Sequence, residues 1–249
     1  MIETSYFDHI VLFVKDQEYS KQWYRDVLDM ELARDQGLLL FLACGQLQEL
    51  GITEGTGNKP HQLDPDTELN LLRFTTEKSR ESVLANMKGH GVKVHSRPDD
   101  PEGIYFQDPS GHWLQLVPSS EQTCFDKVIL YVTDTARAKQ FYMENFGFKV
   151  ERENKGQITL KSGEGHQLGL LLRPEGVTSY NGLHHLGFVT YLGSDGKEGD
   201  YSVIRKELDQ MGLKSLARRH TTDSLYVDDP DGHQLQFHVA PPEARARHH

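Results

Sequence analysis

Imidazoles set the chemistry this chain offers. His185 stands in the apolar run Leu183-His184-His185-Leu186-Gly187-Phe188, where strand alternation places it and His184 on opposite faces of a sheet. A neutral imidazole presents a ring nitrogen to a divalent metal; a strand histidine facing a partly polar cavity is the plainer alternative. His220, within Arg219-His220-Thr221-Thr222-Asp223, stands where a loop enters a strand and titrates near neutral pH, which suits proton transfer. Tyr226 follows closely and either presents its hydroxyl to a cavity or fills core. Lys127 either pairs at a cavity mouth or holds an anionic or phenolate ligand. His9 and Glu49 are good metal donors, although two ligands alone bind weakly. Gln236 offers a carbonyl oxygen without charge.

These positions fall within an internal repeat. Tyr6-Phe7-Asp8-His9-Ile10-Val11-Leu12-Phe13-Val14 returns as Cys124-Phe125-Asp126-Lys127-Val128-Ile129-Leu130-Tyr131-Val132, and Tyr24 returns as Tyr142. Later, Gln107-Asp108-Pro109-Ser110-Gly111-His112 returns as Asp228-Asp229-Pro230-Asp231-Gly232-His233. Proline presets φ and glycine supplies positive φ, so each Asp-Pro-x-Gly predicts a hairpin turn, with His112 and His233 as hairpin residues.

Each half divides again. Apolar periodicity predicts helices over 17–28, 77–89, 135–146 and 200–211. Each is preceded by one strand and followed by three, the last set falling near 214–217, 223–228 and 233–239. The chain therefore reads as α+β, with four βαβββ modules. Residues 1–119 form an N-terminal domain, 120–240 a C-terminal domain, and 241–249 a frayed tail.

Composition narrows the partners. With 249 residues the chain can bury a core without staples. A formal charge of −10 disfavours nucleic acid and anionic membrane surfaces. The N-terminus lacks a basic region followed by an apolar run, and no stretch approaches bilayer-spanning length, so neither a signal peptide nor a membrane span is expected. Cys44 and Cys124 sit in no metal-type spacing and read as free thiols in a reducing, cytoplasmic setting.

Four βαβββ units, Asp-His or Asp-Lys opening each half and Asp-Pro-x-Gly-His closing it, resemble the vicinal oxygen chelate superfamily, which includes glyoxalase I, bleomycin- and fosfomycin-resistance proteins and type I extradiol dioxygenases. The resemblance covers about residues 6–239 and is closest in layout to the two-domain extradiol enzymes. It implies that the two modules of one half form a curved mixed sheet around a cavity. It further implies a structural N-terminal half and an active site in the C-terminal half. His185 would then be an iron ligand, His220 would handle protons and oxygen, and Tyr226 would hydrogen-bond substrate. Homo-oligomers through sheet edges or outer faces fit the same resemblance.

The departures bear on the chemistry. The Fe(II) triad positions are occupied by Lys127, His185 and Gln236, and an ammonium has no lone pair to give. The corresponding N-terminal positions are His9, Glu49, Leu71 and Gln115, whereas a glyoxalase-type site uses four donors. Neither half carries an intact metal site by sequence. The expected function is an extradiol-dioxygenase-like enzyme acting on a small aromatic compound, with catalytic His185, His220 and Tyr226, substrate-binding Lys127 and Gln236, and Fe(II) weakly held. The alternative is a metal-free enzyme or a small-molecule-sequestering protein.

Overall fold

The computed structural model describes residues 1–45, 48–55, 72–97, 100–119, 124–154, 156–163, 165–175, 182–190, 201–216 and 225–239. The first module comprises β1 (Thr4–Val14), α1 (Gln17–Leu28), β2 (Leu32–Asp35), β3 (Leu40–Cys44) and β4 (Gln48–Glu54). The second comprises β5 (Leu72–Thr76), α2 (Arg80–Gly89), β6 (His95–Arg97), β7 (Asp100–Gln107) and β8 (Trp113–Pro118). The third comprises β9 (Cys124–Val132), α3 (Thr135–Phe146), β10 (Lys149–Asn154), β11 (Gln157–Lys161) and β12 (Gln167–Leu172). The fourth comprises β13 (Leu183–Thr190), α4 (Tyr201–Gln210), β14 (Leu225–Asp228) and β15 (Gln234–Val239). The strand expected over 214–217 is only a bridge from Leu216 to Tyr226, with 217–224 outside the described residues.

Local chemistry explains the helix boundaries. Asp16 caps α1 by accepting from the Tyr19 amide, and Asp134 caps α3 by accepting from the Ala136 and Arg137 amides. At their C-termini the chain turns left-handed at Asp29 and Gly147.

The sheets are shared between the halves. One runs β14-β15-β13-β1-β4-β3-β2 and unites the first and fourth modules; the other runs β10-β11-β12-β9-β5-β8-β7-β6 and unites the second and third. This corrects the expectation that the modules of one half share a sheet. β1 pairs antiparallel with β13, and β5 pairs antiparallel with β9. The chain still makes two tandem repeats of two modules each, three of them βαβββ and the fourth, among the described residues, βαββ with the Leu216 bridge.

Gln48 and His166, at repeat-equivalent positions, each cross between the sheets. Gln48 donates from Nε2 to the Phe7 and Phe125 carbonyls, at 3.1 and 2.9 Å. His166 Nδ1 accepts from the Phe7 amide at 2.9 Å.

A different device holds each half together. Tyr24 of α1 donates its hydroxyl to Asp108 in the β7–β8 hairpin, and His112 Nδ1 lies 2.7 Å from the same carboxylate. Tyr142, Asp229 and His233 repeat the arrangement between α3 and the β14–β15 hairpin. All six residues are buried. Asp108 also accepts from the Ser110 and His112 amides, and Asp229 from those of Asp231 and His233. Each Asp-Pro-x-Gly-His segment is thus a turn and an inter-module lock together.

One apolar cluster takes in residues from both sheets and all four helices. On β9, Val128, Leu130 and Val132 join it, whereas Tyr131 packs with Tyr105, Trp113 and Leu171 on the other face.

Candidate metal centre

The pairing of β1 with β13 brings together side chains from opposite halves. His9 Nε2 lies 2.9 Å from His185 Nε2 and 3.1 Å from Gln236 Oε1. All three residues are buried. Gly187 lies opposite His9, and a Cβ there would fall 2.2 Å from the His9 ring, so glycine makes room for the imidazole.

Two β-bulges set the surroundings. Between Phe7↔Phe188 and His9↔Gly187, β1 carries one extra residue, Asp8. Its carboxylate reaches His9 Nδ1 at 2.8 Å. The second bulge is on β13, where His184 is extra between the pairs Val11↔His185 and Leu12↔Leu183. Alternation predicted opposite faces for His184 and His185; instead their Nδ1 atoms lie 2.7 Å apart, and the His184 ring packs on Phe13. An extra residue resets the alternation, which accounts for the difference.

These contacts define charge. Burial opposes ionisation of Asp8, but the hydrogen bond and charge of His9, with His238 and Arg34, hold its carboxyl below the usual range. A carboxylate only accepts, so His9 Nδ1 carries the proton of that bond. On a neutral ring, Nε2 then presents a lone pair toward Gln236 Oε1, another acceptor. A cation between these two acceptors satisfies both, as does Gln236 turned so that its amide nitrogen donates to His9. Ligands about 2.1 Å from one ion and at right angles lie about 3 Å apart, so these separations suit one coordination sphere. An N,N,O donor set suits manganese, iron or zinc.

His238, two residues beyond Gln236 on β15, packs edge-on to His9 at 5.2 Å. Its Nε2 is buried without a hydrogen-bond partner, 3.8 Å from the Asp8 carboxylate. Burial and nearby His9 push its pKa down to about 4 against the pull of Asp8, leaving a neutral ring fit to bind metal. Ligand atoms of Asp8, His9 and His238 lie within 4.8 Å of one another, a second donor set sharing His9.

Glu49 is the register partner of His9 on β4. Arg34 donates to it from Nε at 2.9 and 3.1 Å and also from Nη2. The guanidinium lies 4.0 Å over Phe41, whose ring meets His9 edge-on. Glu49 is therefore beside the cluster but committed to Arg34.

Sequence comparison identifies the family. Residues 6–116 and 125–237 each match the Glyoxalase/Bleomycin resistance protein/Dioxygenase superfamily. The chain belongs to this superfamily. A manganese-dependent 2,3-dihydroxybiphenyl 1,2-dioxygenase from Geobacillus genomosp. 3 is 23% identical, over 94% of this chain and 85% of that protein. A putative dioxygenase from Bacillus subtilis aligns with a TM-score of 0.76 at 14% identity, covering 97% of this chain and 87% of the other. Glyoxalase I from Zea mays aligns at 0.68 and 18% identity, covering 94% and 92%. At these identities the structures establish the shared fold.

Within this superfamily frame, the residues expected at the site separate. His185, Gln236 and His9 converge, and Tyr226 joins them, edge-on to His185 at 5.7 Å and paired with Gln236 across β14 and β15. Lys127 lies on the other sheet, opposite Arg73 and Gln167, so Lys127, His185 and Gln236 do not form one triad. Gln115 is on that sheet too, opposite Arg73. Leu71 and His220 lie outside the described residues. Asp8, Arg34 and His238 were not singled out as site residues. His238 shares the strand face of Gln236 by the two-residue rule, whereas nothing local reveals the bulge that turns Asp8 toward His9. Among the described residues, no helix is long and apolar enough to cross a membrane.

Proposed function

We propose that this protein is a divalent-metal enzyme whose centre is shared by its first and fourth modules, acting on a small molecule with two neighbouring oxygens. The observation that carries this reading is the meeting of His9 Nε2, His185 Nε2 and Gln236 Oε1 at 2.9 and 3.1 Å. These residues would hold the ion, with Asp8 orienting His9 through Nδ1. When bound, the ion would act as a Lewis acid on the substrate oxygens. Tyr226, beside His185, would hydrogen-bond a ligand, and His220 would handle protons, the role the extradiol resemblance gives it.

Ring-cleaving dioxygenation of a dihydroxylated aromatic is the reaction we assign first, supported by the similarity to the manganese-dependent dioxygenase. A second reading has its own support. The cluster draws on both halves, with Glu49 as a fourth donor position beside His9, whereas the extradiol resemblance confines the site to the C-terminal half. A four-donor, glyoxalase-type centre would carry out proton transfer between adjacent carbons without oxygen.

The test is metal content and turnover of untagged protein supplied with manganese or iron(II). About one ion per chain, lost in His9→Ala and in His185→Ala, is the expected result. Turnover of 2,3-dihydroxybiphenyl with oxygen uptake supports the first reaction. Proton exchange at an α-hydroxycarbonyl without oxygen uptake supports the second. Failure to bind either metal would overturn both. Retention in His185→Ala with loss in His238→Ala would move the centre to Asp8, His9 and His238.

A further inference from the structure

The second sheet contains the counterpart of the metal cluster, position for position. On the first sheet, His9 faces Glu49 on one side and Gly187 on the other, and Gly187 faces Gln236. On the second sheet, Lys127 faces Gln167 on one side and Arg73 on the other, and Arg73 faces Gln115. The bulge recurs as well: Asp126 is extra between Lys127↔Arg73 and Phe125↔Phe74, as Asp8 is beside His9. The same frame thus presents two cations and two amides where the first presents two potential metal ligands, a carboxylate and a glycine.

Two fixed cations repel a divalent metal. Cations at these positions favour an anion instead. Asp126 grips Arg73 through Nε and Nη2, at 2.9 and 2.7 Å, and this pairing raises the guanidinium pKa against the opposing effect of burial. The bulge carboxylate that orients an imidazole in one sheet orients a guanidinium in the other. Arg73 Nη2 also donates to Gln167 at 3.2 Å, so three of these framework residues are already connected.

A cavity of about 420 Å³ opens over this group. Arg97 and Arg152 enter its wall with Lys127 and Arg73, and among the described residues the carboxylates lining it are Asp100 and Glu151. Asp100 accepts from Gln115 and Tyr105, and Glu151 accepts from Gln167 and lies 3.8 Å from Lys161 Nζ, so four cations line a wall that carries two carboxylates. Arg97 is buried, with its guanidinium 5.4 Å from the Tyr105 ring centre. This volume falls within the range of small-molecule sites.

We infer that this cavity is a second, metal-independent site that binds a small organic anion bearing carboxylate or phosphate groups, with Lys127 standing where the other sheet places His9. The chain then carries two functional cavities of opposite electrostatic character. Binding here is independent of the metal and survives its removal.

Citrate and inorganic phosphate serve as probes, titrated calorimetrically into the full chain after metal removal with a chelator. Saturable binding of at least one is expected, weakening as salt is added. Citrate alone indicates a carboxylate ligand and phosphate alone a phosphate-bearing one. Lys127→Gln should weaken binding about tenfold or more, Lys127→Arg should restore most of it, and His185→Ala should leave it unchanged. A readout on the unaltered chain guards against misfolded variants: bound probe should protect Lys127 from an amine-reactive label, read by peptide mass. No saturable binding of either probe, or binding without Lys127 protection, overturns the proposal.

Discussion

At the scale of single residues, the metal cluster depends on where one imidazole lies. Its ring occupies space that any side chain at position 187 would claim. Gly187→Ala should leave the fold intact by circular dichroism but lower metal affinity about tenfold to a hundredfold, because the His9 ring must move. Arg34→Ala should act in the opposite direction. It releases the Glu49 carboxylate beside His9, and a charged oxygen donor then becomes available to a bound cation. Equilibrium dialysis against manganese tests both; unchanged affinity in both would dissociate His9 and Glu49 from metal binding. Lys127→His, by contrast, should add no affinity at this cluster, since that strand belongs to the other sheet. The types of His9, His185 and Gln236 were legible in the sequence, but their union was not. His9 and His185 stand 176 residues apart, and each read as part of a separate, incomplete set.

Among the elements, the hairpin locks carry the testable energetics. The helix and turn signals were plain: the periodicities predicted 17–28 and 135–146, and α1 and α3 span those residues. The burial of His112 and His233 was less visible, because a histidine after a turn glycine reads simply as a hairpin residue. Tyr142→Phe should destabilise the protein by about 1–3 kcal/mol in urea unfolding, since it leaves a buried carboxylate one donor short. The pH dependence follows from Asp108 and Asp229. Burial disfavours their charge, but histidine, backbone and tyrosine contacts hold both below the ordinary value of 3.8. A depressed folded pKa contributes stability that is complete above 3.8 and is lost as pH falls below it through the folded value. Asp229→Asn should flatten the acid limb of stability against pH; an unchanged limb would rule out that contribution. The edge strands β2 and β10, equivalent in the repeat, are exposed throughout and carry charged residues that discourage edge-to-edge association.

For the whole molecule, each sheet crosses between halves while each Tyr-Asp-His lock stays within one, so neither half closes its own structure. Unfolding should therefore be a single calorimetric transition. Separately expressed 1–119 and 120–249 should recombine one to one when mixed, as seen by light scattering. Two independent transitions, or stable monomeric halves, would contradict this. At the alkaline end, burial and the adjacent carboxylates push Tyr24 and Tyr142 well above 10, and burial pushes Tyr131 up. A raised folded pKa contributes stability that is complete below 10 and lost as pH rises past it, so part of the phenolate absorbance should appear only as the fold is lost. The pairing between halves was not legible because β1 and β9 have nearly the same sequence pattern. Either assignment of modules to sheets satisfies that local pattern, and the choice is made only by tertiary contacts.

Covalent joining of the two repeats has a further consequence. In a symmetric pair of identical halves, replacing the histidine at the first strand would alter both cavities at once, because symmetry imposes every change twice. Here His9 and Lys127 occupy corresponding places on one polypeptide and vary independently. The tandem arrangement frees the two cavities from that obligation, so one can keep imidazoles while the other accumulates cations, and the shared scaffold need not change.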